Sequence, residues 1–366
     1  MINIIDLKKE YGLYEKEVIE KIKDVCSSQI FINGAEVLSF EKTFSNFCNT
    51  KYATGCSSGT DALILALLAL DIGPGDEVIT TPFSFFATTE AILRVGATPI
   101  FVDINKDTFC IDENLIEDKI TKNTKCILPV HIYGHSANMT EITRIAREHN
   151  LKIIEDCAQA HGAEWNGIKV GSFGDAGCFS FFPTKNLGAF GDAGIVTTNS
   201  EKLYKKMLLL RQHGIDLKNK YDSIYLGGNF RIDAIQAAVL SIKIRHLDTF
   251  TNRRIENAEF YNKNIKSKHV EKPFRKKLAK HVYHQYVIRS SNRDKLKKYL
   301  LQNNIESSVF YPYSIPRQTL FGDKYKNLDI PVCESACKSV LAIPVYPSVG
   351  IENIKKVINA LDAFPG

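Results

Sequence analysis

The stretch Lys152-Ile-Ile-Glu-Asp156-Cys-Ala-Gln159-Ala-His161 reads as a short apolar strand that ends on acids and opens into a polar loop. Working outward from it, Glu77-Val-Ile-Thr-Thr, Pro99-Ile-Phe-Val and Lys125-Cys-Ile-Leu-Pro-Val read as further strands. Thr60 to Leu70, Phe83 to Val95, Asn138 to His149 and Glu201 to Gln212 read as helices between and after them. Strands with little polar alternation, separated by helices, predict a mainly parallel sheet covered on both faces. Ligands of such sheets bind at the carboxyl ends of the strands. An acid in the position of Asp156 is therefore a metal ligand, a general base, a ribose contact, the partner of a protonated pyridine nitrogen, or a loop carboxylate. Glu155 is expected to point to the other face.

Three more segments carry possible chemistry. Gly55-Cys-Ser-Ser-Gly59-Thr60-Asp-Ala-Leu leads into a helix, with Ser58, Thr60 or Asp61 as its N-cap. A helix N-terminus binds phosphate through free N–H groups and its dipole, so this is either a phosphate cradle or a capped helix. No Gly-Lys-Ser/Thr follows, so it is not a Walker loop. Cys178-Phe-Ser180-Phe-Phe-Pro-Thr-Lys185-Asn-Leu-Gly-Ala-Phe-Gly-Asp-Ala-Gly194 sets one lysine between an aromatic strand and a glycine-rich loop. Near a buried cationic ring such an amine loses part of its preference for the charged form and can attack a carbonyl. The competing explanation is a loop lysine among turn glycines. Gly227-Gly-Asn229-Phe-Arg231-Ile-Asp is a polar loop before a helix of small residues, and by itself a plain helix start.

The 366 residues are 44% hydrophobic and 24% charged, which suits a soluble globular protein. The chain divides into a large domain over 1–249 and a smaller α+β domain over 250–366. A long basic helix is expected to lead into a strand at Tyr283-His-Gln-Tyr-Val-Ile. The start lacks an apolar core of the kind secretion signals have, and the longest apolar run, Ala62 to Leu70, is too short to span a bilayer. A cytoplasmic protein with no membrane partner is expected. Nine scattered cysteines suit reduced thiols, and no further ligand pair follows Cys333 and Cys337 to make a metal site. Much of the net charge of +6 lies between Lys263 and Lys280. That segment is either a solvated face or a device that attracts an anionic substrate. It offers few aromatics, so nucleic acid is not an expected partner.

Taken together, Ser58-Gly-Thr-Asp-Ala-Leu, Glu155-Asp-Cys-Ala-Gln-Ala-His-Gly and Phe179-Ser-Phe-Phe-Pro-Thr-Lys-Asn-Leu-Gly resemble the DegT/DnrJ/EryC1/StrS sugar aminotransferases. The likeness runs from about Phe31 to near the C-terminus. It implies the type I pyridoxal-phosphate fold, with the cofactor as a Schiff base on Lys185. By the same resemblance Asp156 holds the pyridine nitrogen, Gln159 lies near the phenolic oxygen and Phe85 stacks on the ring. Gly59, Thr60 and Ser180 bind the phosphate, and Asn229 reaches it from a neighbouring subunit, so a homodimer with shared active sites is implied. Arg231 and Tyr311 would contact substrate.

Dehydrating relatives place His where this chain has Lys185, so the resemblance favours transamination. L-Glutamate would be the donor, leaving 2-oxoglutarate, and a nucleotide-linked keto-6-deoxyhexose the acceptor. The string around Lys185 looks most like members that aminate carbon 3 of a dTDP-sugar. Amination at carbon 4, a UDP-linked sugar, and a non-catalytic regulator are the alternatives. Phe310-Tyr-Pro-Tyr-Ser-Ile-Pro-Arg-Gln318 lacks two histidines common in relatives, which leaves the hexose open. A nicotinamide dehydrogenase is excluded, because no strand is followed by Gly-x-Gly-x-x-Gly.

Overall fold

The computed structural model describes residues 1–216 and 219–366. Seven strands form its main sheet: β1 (Tyr52–Cys56), β2 (Glu77–Thr80), β3 (Thr98–Phe101), β4 (Thr124–Leu128), β5 (Lys152–Asp156), β6 (Ala176–Ser180) and β7 (Gly194–Thr198). The spatial order is β1-β7-β6-β5-β4-β2-β3. β3, β2, β4, β5 and β6 run parallel, while β7 runs antiparallel to both of its neighbours. The strands are buried along most of their length because helices cover both faces.

Helix α1 spans Lys8–Tyr11, α2 Glu15–Ser28, α3 Ala35–Cys48, α4 Gly59–Ala69, α5 Ala87–Arg94, α6 Met139–Glu148, α7 Glu201–Leu210, α8 Ala234–Lys243 and α9 Leu247–Asn264. In α4 six consecutive residues, Ala62 to Leu67, are buried, so it packs within the core rather than on the surface. Its N-cap is Ser58, whose Oγ accepts from the Asp61 N–H at 3.0 Å, and Asp61 accepts the Ser57 and Ser58 hydroxyls in return. This reciprocal cap fixes the direction in which the helix points its N-terminus. Buried Glu41 on α3 ties the end of β1 in place. Its carboxylate accepts from the Gly55 N–H at 2.7 Å and pairs with Arg211 at 2.5 Å.

Toward the C-terminus lie α10 (Arg293–Gln302), α11 (Pro331–Ser339) and α12 (Ile351–Ala363), with the antiparallel pair Tyr286–Arg289 and Val340–Ile343. α10, α12 and this pair enclose, with the end of α9, a cluster of apolar residues that Ile2 of the N-terminal segment joins, whereas α11 packs on the core of the main sheet. No helix among the described residues is long and apolar enough to cross a membrane.

Three expectations need correction. The helix expected from Phe83 begins only at Ala87, and Pro82 to Phe86 is a loop. Aromatic residues fit either state, and proline excluded nothing beyond the first turn. The long helix expected after Phe250 is α9, which ends at Asn264, so most of the basic stretch follows it as irregular chain over 265–278 before Ala279–Lys280 pairs with Glu164–Trp165. The strand expected at Tyr283 starts at Tyr286, because Tyr283 takes a left-handed backbone (φ 46°) and turns the chain.

Candidate active site

The carboxyl ends of β5 and β6, the N-terminus of α4 and the Phe310-Tyr311 loop surround a cavity of about 720 Å³. Lys185, Asp156, Gln159, Ser180, Gly59, Thr60, Phe85 and Tyr311 all line it. Asn229 and Arg231 do not. Asn229 is exposed on the strand-like segment bridged to Gln212, and Arg231 is bridged to Cys56 with its Nε buried and without a hydrogen-bond partner among the described residues.

Asp156 ends β5 with its carboxylate buried. Thr88 Oγ1 donates to Oδ2 at 2.8 Å and the Ala158 N–H to Oδ1 at 3.1 Å. Burial pushes its pKa up, and the two hydrogen bonds and the Lys185 amine pull only part of the way back. Glu155, one residue earlier, faces the opposite side. It accepts N–H bonds from Gly171, Phe173 and Gly174 and pairs with His131, so its role is to hold the 171–174 loop. His131, Glu155 and Cys157 lie close enough to suggest a metal site. The His131 Nδ1, however, already accepts the Ala137 N–H, and Glu155 is fully engaged. Cys333 and Cys337 are buried on α11.

Lys185 follows β6 on a turn closed by its own N–H to Phe182 O at 2.9 Å. Its pKa is lowered to about 8 by burial, against which Asp156 acts. About a tenth of the amine is therefore free at pH 7, against well under a thousandth for an ordinary lysine, and able to attack a carbonyl. Gln159 is held at both ends. Its Oε1 accepts the Tyr133 N–H at 2.7 Å, and its Nε2 donates to the Tyr311 hydroxyl at 3.0 Å. One amide hydrogen is left for the cavity. Phe85 is 62% exposed in this chain and offers a ring face to the same space.

At the other end, Gly59 packs so closely on β6 that a Cβ there would meet the Ser180 Cβ at 2.5 Å. The bare backbone brings the α4 N–H groups and the Ser180 hydroxyl together, the arrangement a phosphate needs. A buried carboxylate, a depressed lysine amine, an aromatic face and this cradle fit pyridoxal 5'-phosphate in their donor chemistry. Thr88, Ser84, His284 and Asn186 also belong to the site and were not singled out in the sequence. A lone threonine on a helix and a histidine on a turn give no local signal.

A seven-stranded sheet with one reversed strand, carrying this lysine and aspartate at its strand ends, is the type I fold of pyridoxal-phosphate aminotransferases. Residues 13–362 match the DegT/DnrJ/EryC1/StrS aminotransferase family, and the chain belongs to it. It is a sugar aminotransferase with pyridoxal phosphate as cofactor.

The chain is 41% identical to a "pleiotropic regulatory protein" of Geobacillus stearothermophilus, over 99% of this chain and 98% of that one. It is 40% identical to the dTDP-3-amino-3,6-dideoxy-alpha-D-galactopyranose transaminase of Aneurinibacillus thermoaerophilus, over 100% and 99%. A UDP-N-acetyl-3-dehydro-alpha-D-glucosamine 3-aminotransferase of Acidithiobacillus ferrooxidans is 39% identical, over 98% and 97%. Among solved structures, DesV of S. venezuelae superposes with a TM-score of 0.95 at 36% identity, covering 99% of this chain and 97% of that one.

Proposed function

We propose that this enzyme transfers the amino group of L-glutamate to a nucleotide-linked keto-6-deoxyhexose, at carbon 3 of a dTDP-sugar. The observation that carries the reading is the convergence of Lys185 and Asp156 on one cavity, joined to the likeness to a dTDP-3-amino-sugar transaminase. When bound, the cofactor supplies an electron sink for the carbon that gives or takes the amino group. Lys185 would hold the cofactor covalently through Nζ, and the same amine, when free, would serve as the general acid–base that moves the substrate proton. Asp156 keeps the ring nitrogen protonated by its negative charge. Phe85 would cover one ring face, and Gln159, with one amide hydrogen unused, would donate to the phenolic oxygen. Gly59, Thr60 and Ser180 hold the phosphate. Asn229 completes that cradle from a second copy of the chain, and Arg231 and Tyr311 meet the substrate. In this reading the cofactor-binding domain is 1–249, the smaller domain is 250–366, and the enzyme works in the cytoplasm as a homodimer.

Two specific likenesses favour second readings. A UDP-linked acceptor is supported by the Acidithiobacillus relative, and a regulatory protein by the name of the Geobacillus one. The test is in two stages. Purified protein should be yellow, borohydride should fix the cofactor on Lys185, and one turnover with glutamate should release 2-oxoglutarate. Absence of that release favours the regulator. Offering the amino-loaded enzyme 3-keto and 4-keto sugars linked to dTDP or UDP then identifies the acceptor. Consumption of only a 4-keto or a UDP-linked sugar would overturn the preferred assignment.

A further inference from the structure

The turn Tyr283-His284-Gln285 brings His284 and Gln285 to the cavity that Phe310 and Tyr311 also line, and several hydrogen bonds hold it. Tyr283 adopts φ 46°, a conformation that costs a bulky residue energy and persists only where its surroundings enforce it. Here the Val282 N–H donates to Gly134 O at 3.0 Å and the Gln285 N–H to Tyr133 O at 3.3 Å. From α9, buried Arg254 donates to the carbonyls of both Tyr283 and His284 at 3.4 Å. The consequence is that the His284 ring is turned into the cavity that Lys185 lines.

The protonation of that ring follows from its neighbour. Asn186, the residue after Lys185, donates its Nδ2 to Val282 O at 3.3 Å, an oxygen that can only accept. Its Oδ1 therefore faces the His284 Nδ1 at 3.1 Å, and the hydrogen of that contact belongs to His284. Burial, with the Lys185 and Arg254 cations, holds the histidine pKa well below its ordinary value. The ring is neutral, Nδ1 carries its hydrogen, and Nε2 has a bare lone pair.

A bare acceptor restricts what can bind there. Carboxylate, phosphate and phenolate oxygens are acceptors and are repelled. The donor amino acid has its amine as a hydrogen-bond donor, and that group is consumed at the reacting centre. A sugar keeps its hydroxyls throughout.

We propose that His284 is a substrate-binding residue that serves the sugar and not the amino-acid donor: its Nε2 accepts a hydrogen bond from a hydroxyl of the acceptor sugar. The inference rests on the reading of this site as a sugar aminotransferase.

The test uses the holoenzyme and three variants, with L-glutamate and dTDP-3-amino-3,6-dideoxygalactose as separate amino donors followed by cofactor absorbance. His284→Phe removes both ring nitrogens. His284→Asn keeps a donor for Asn186 but no acceptor at the Nε2 position, and His284→Gln sets an amide oxygen near that position. The Phe and Asn variants should raise KM for the sugar on the order of ten- to a hundredfold and leave the glutamate half-reaction within about twofold. Gln should recover most of the loss. Enzyme loaded with pyridoxamine phosphate cannot react with an amino sugar, so its calorimetric Kd should weaken in the same order. Equal losses in both half-reactions would assign His284 to Lys185 or to the turn and overturn the inference. So would no loss, or no recovery by Gln. Failure of the wild-type enzyme to convert any nucleotide sugar would instead overturn the reading of the site, and the inference with it.

Discussion

Thr88 Oγ1 donates a 2.8 Å hydrogen bond to Oδ2 of Asp156, and Ser84 Oγ lies 2.9 Å behind it. Thr88 has one hydrogen and spends it on the carboxylate, so Ser84 must be the donor in the second contact. Thr88 on α5, backed by Ser84 in the loop before it, aims Asp156, and its hydrogen bond offsets part of the burial that raises the carboxylate pKa. Thr88→Val keeps the shape and removes the donor. The expected result is a cofactor Kd higher by about tenfold, since a buried charged acceptor loses roughly 1–3 kcal/mol with its partner. Absorbance titration of the apoenzyme measures this, and Ser84→Ala should lose less. An unchanged Kd in Thr88→Val would mean that Ala158 and the ring alone orient the carboxylate.

The lysine pKa gives a kinetic signature. An amine must be unprotonated to attack the cofactor aldehyde, and burial sets Lys185 at about 8. Stopped-flow capture of pyridoxal phosphate by the apoenzyme should speed up roughly tenfold per pH unit below 8 and then level off. An ordinary lysine would keep accelerating toward 10.5. Lys185→Ala should bind cofactor without a borohydride-stable link and lose transamination by at least about a thousandfold.

The contact between α4 and β6 is equally testable. Gly59→Ala would drive a methyl into the Ser180 Cβ at 2.5 Å, with the Ser180 Cα at 3.1 Å behind it. Neither the strand nor the capped helix can yield without moving the cradle. Expected are a loss on the order of 1–3 kcal/mol in thermal stability and a weaker hold on cofactor and on inorganic phosphate. A variant with wild-type phosphate affinity would separate Gly59 from the cradle.

The parallel strands were legible because helices on both faces leave them almost no polar alternation, Asp156 because it breaks that rule at a strand end, and Lys185 because it stands alone between an aromatic strand and a glycine-rich loop. The reversal of β7 was not. Gly194 to Thr198 is as rich in β-branched residues as the parallel strand Glu77–Thr80, so its side chains carry no mark of direction, which follows instead from a connection over 181–193 that contains no crossover helix. Thr88 is 68 residues from Asp156 in the chain, so nothing local announces their bond. Tyr133 and Tyr283 both take positive φ, at 58° and 46°. Glycine or asparagine would have signalled such turns, but here tertiary contacts force them on residues with no preference for them.

Asn229 poses the last question, because it does not line the cavity of its own chain. It is exposed, as are the apolar Phe31 and Ile32, the latter bridged to Asp233 four residues further along the chain from Asn229. If a second copy supplies Asn229, light scattering should give a dimer, and Asn229→Ala should weaken cofactor binding by about five- to tenfold. Loss of affinity alone would not say which chain provides the residue, so a mixing experiment decides. Lys185→Ala subunits retain Asn229, and Asn229→Ala subunits retain Lys185. In a hybrid dimer with exchanged contributions, one site has both residues and the other has neither. Unfolding and refolding the two variants together should therefore recover a population of tight, borohydride-reducible sites absent from either alone. If Asn229 served its own chain, every site with Lys185 would still lack Asn229, and mixing would recover nothing.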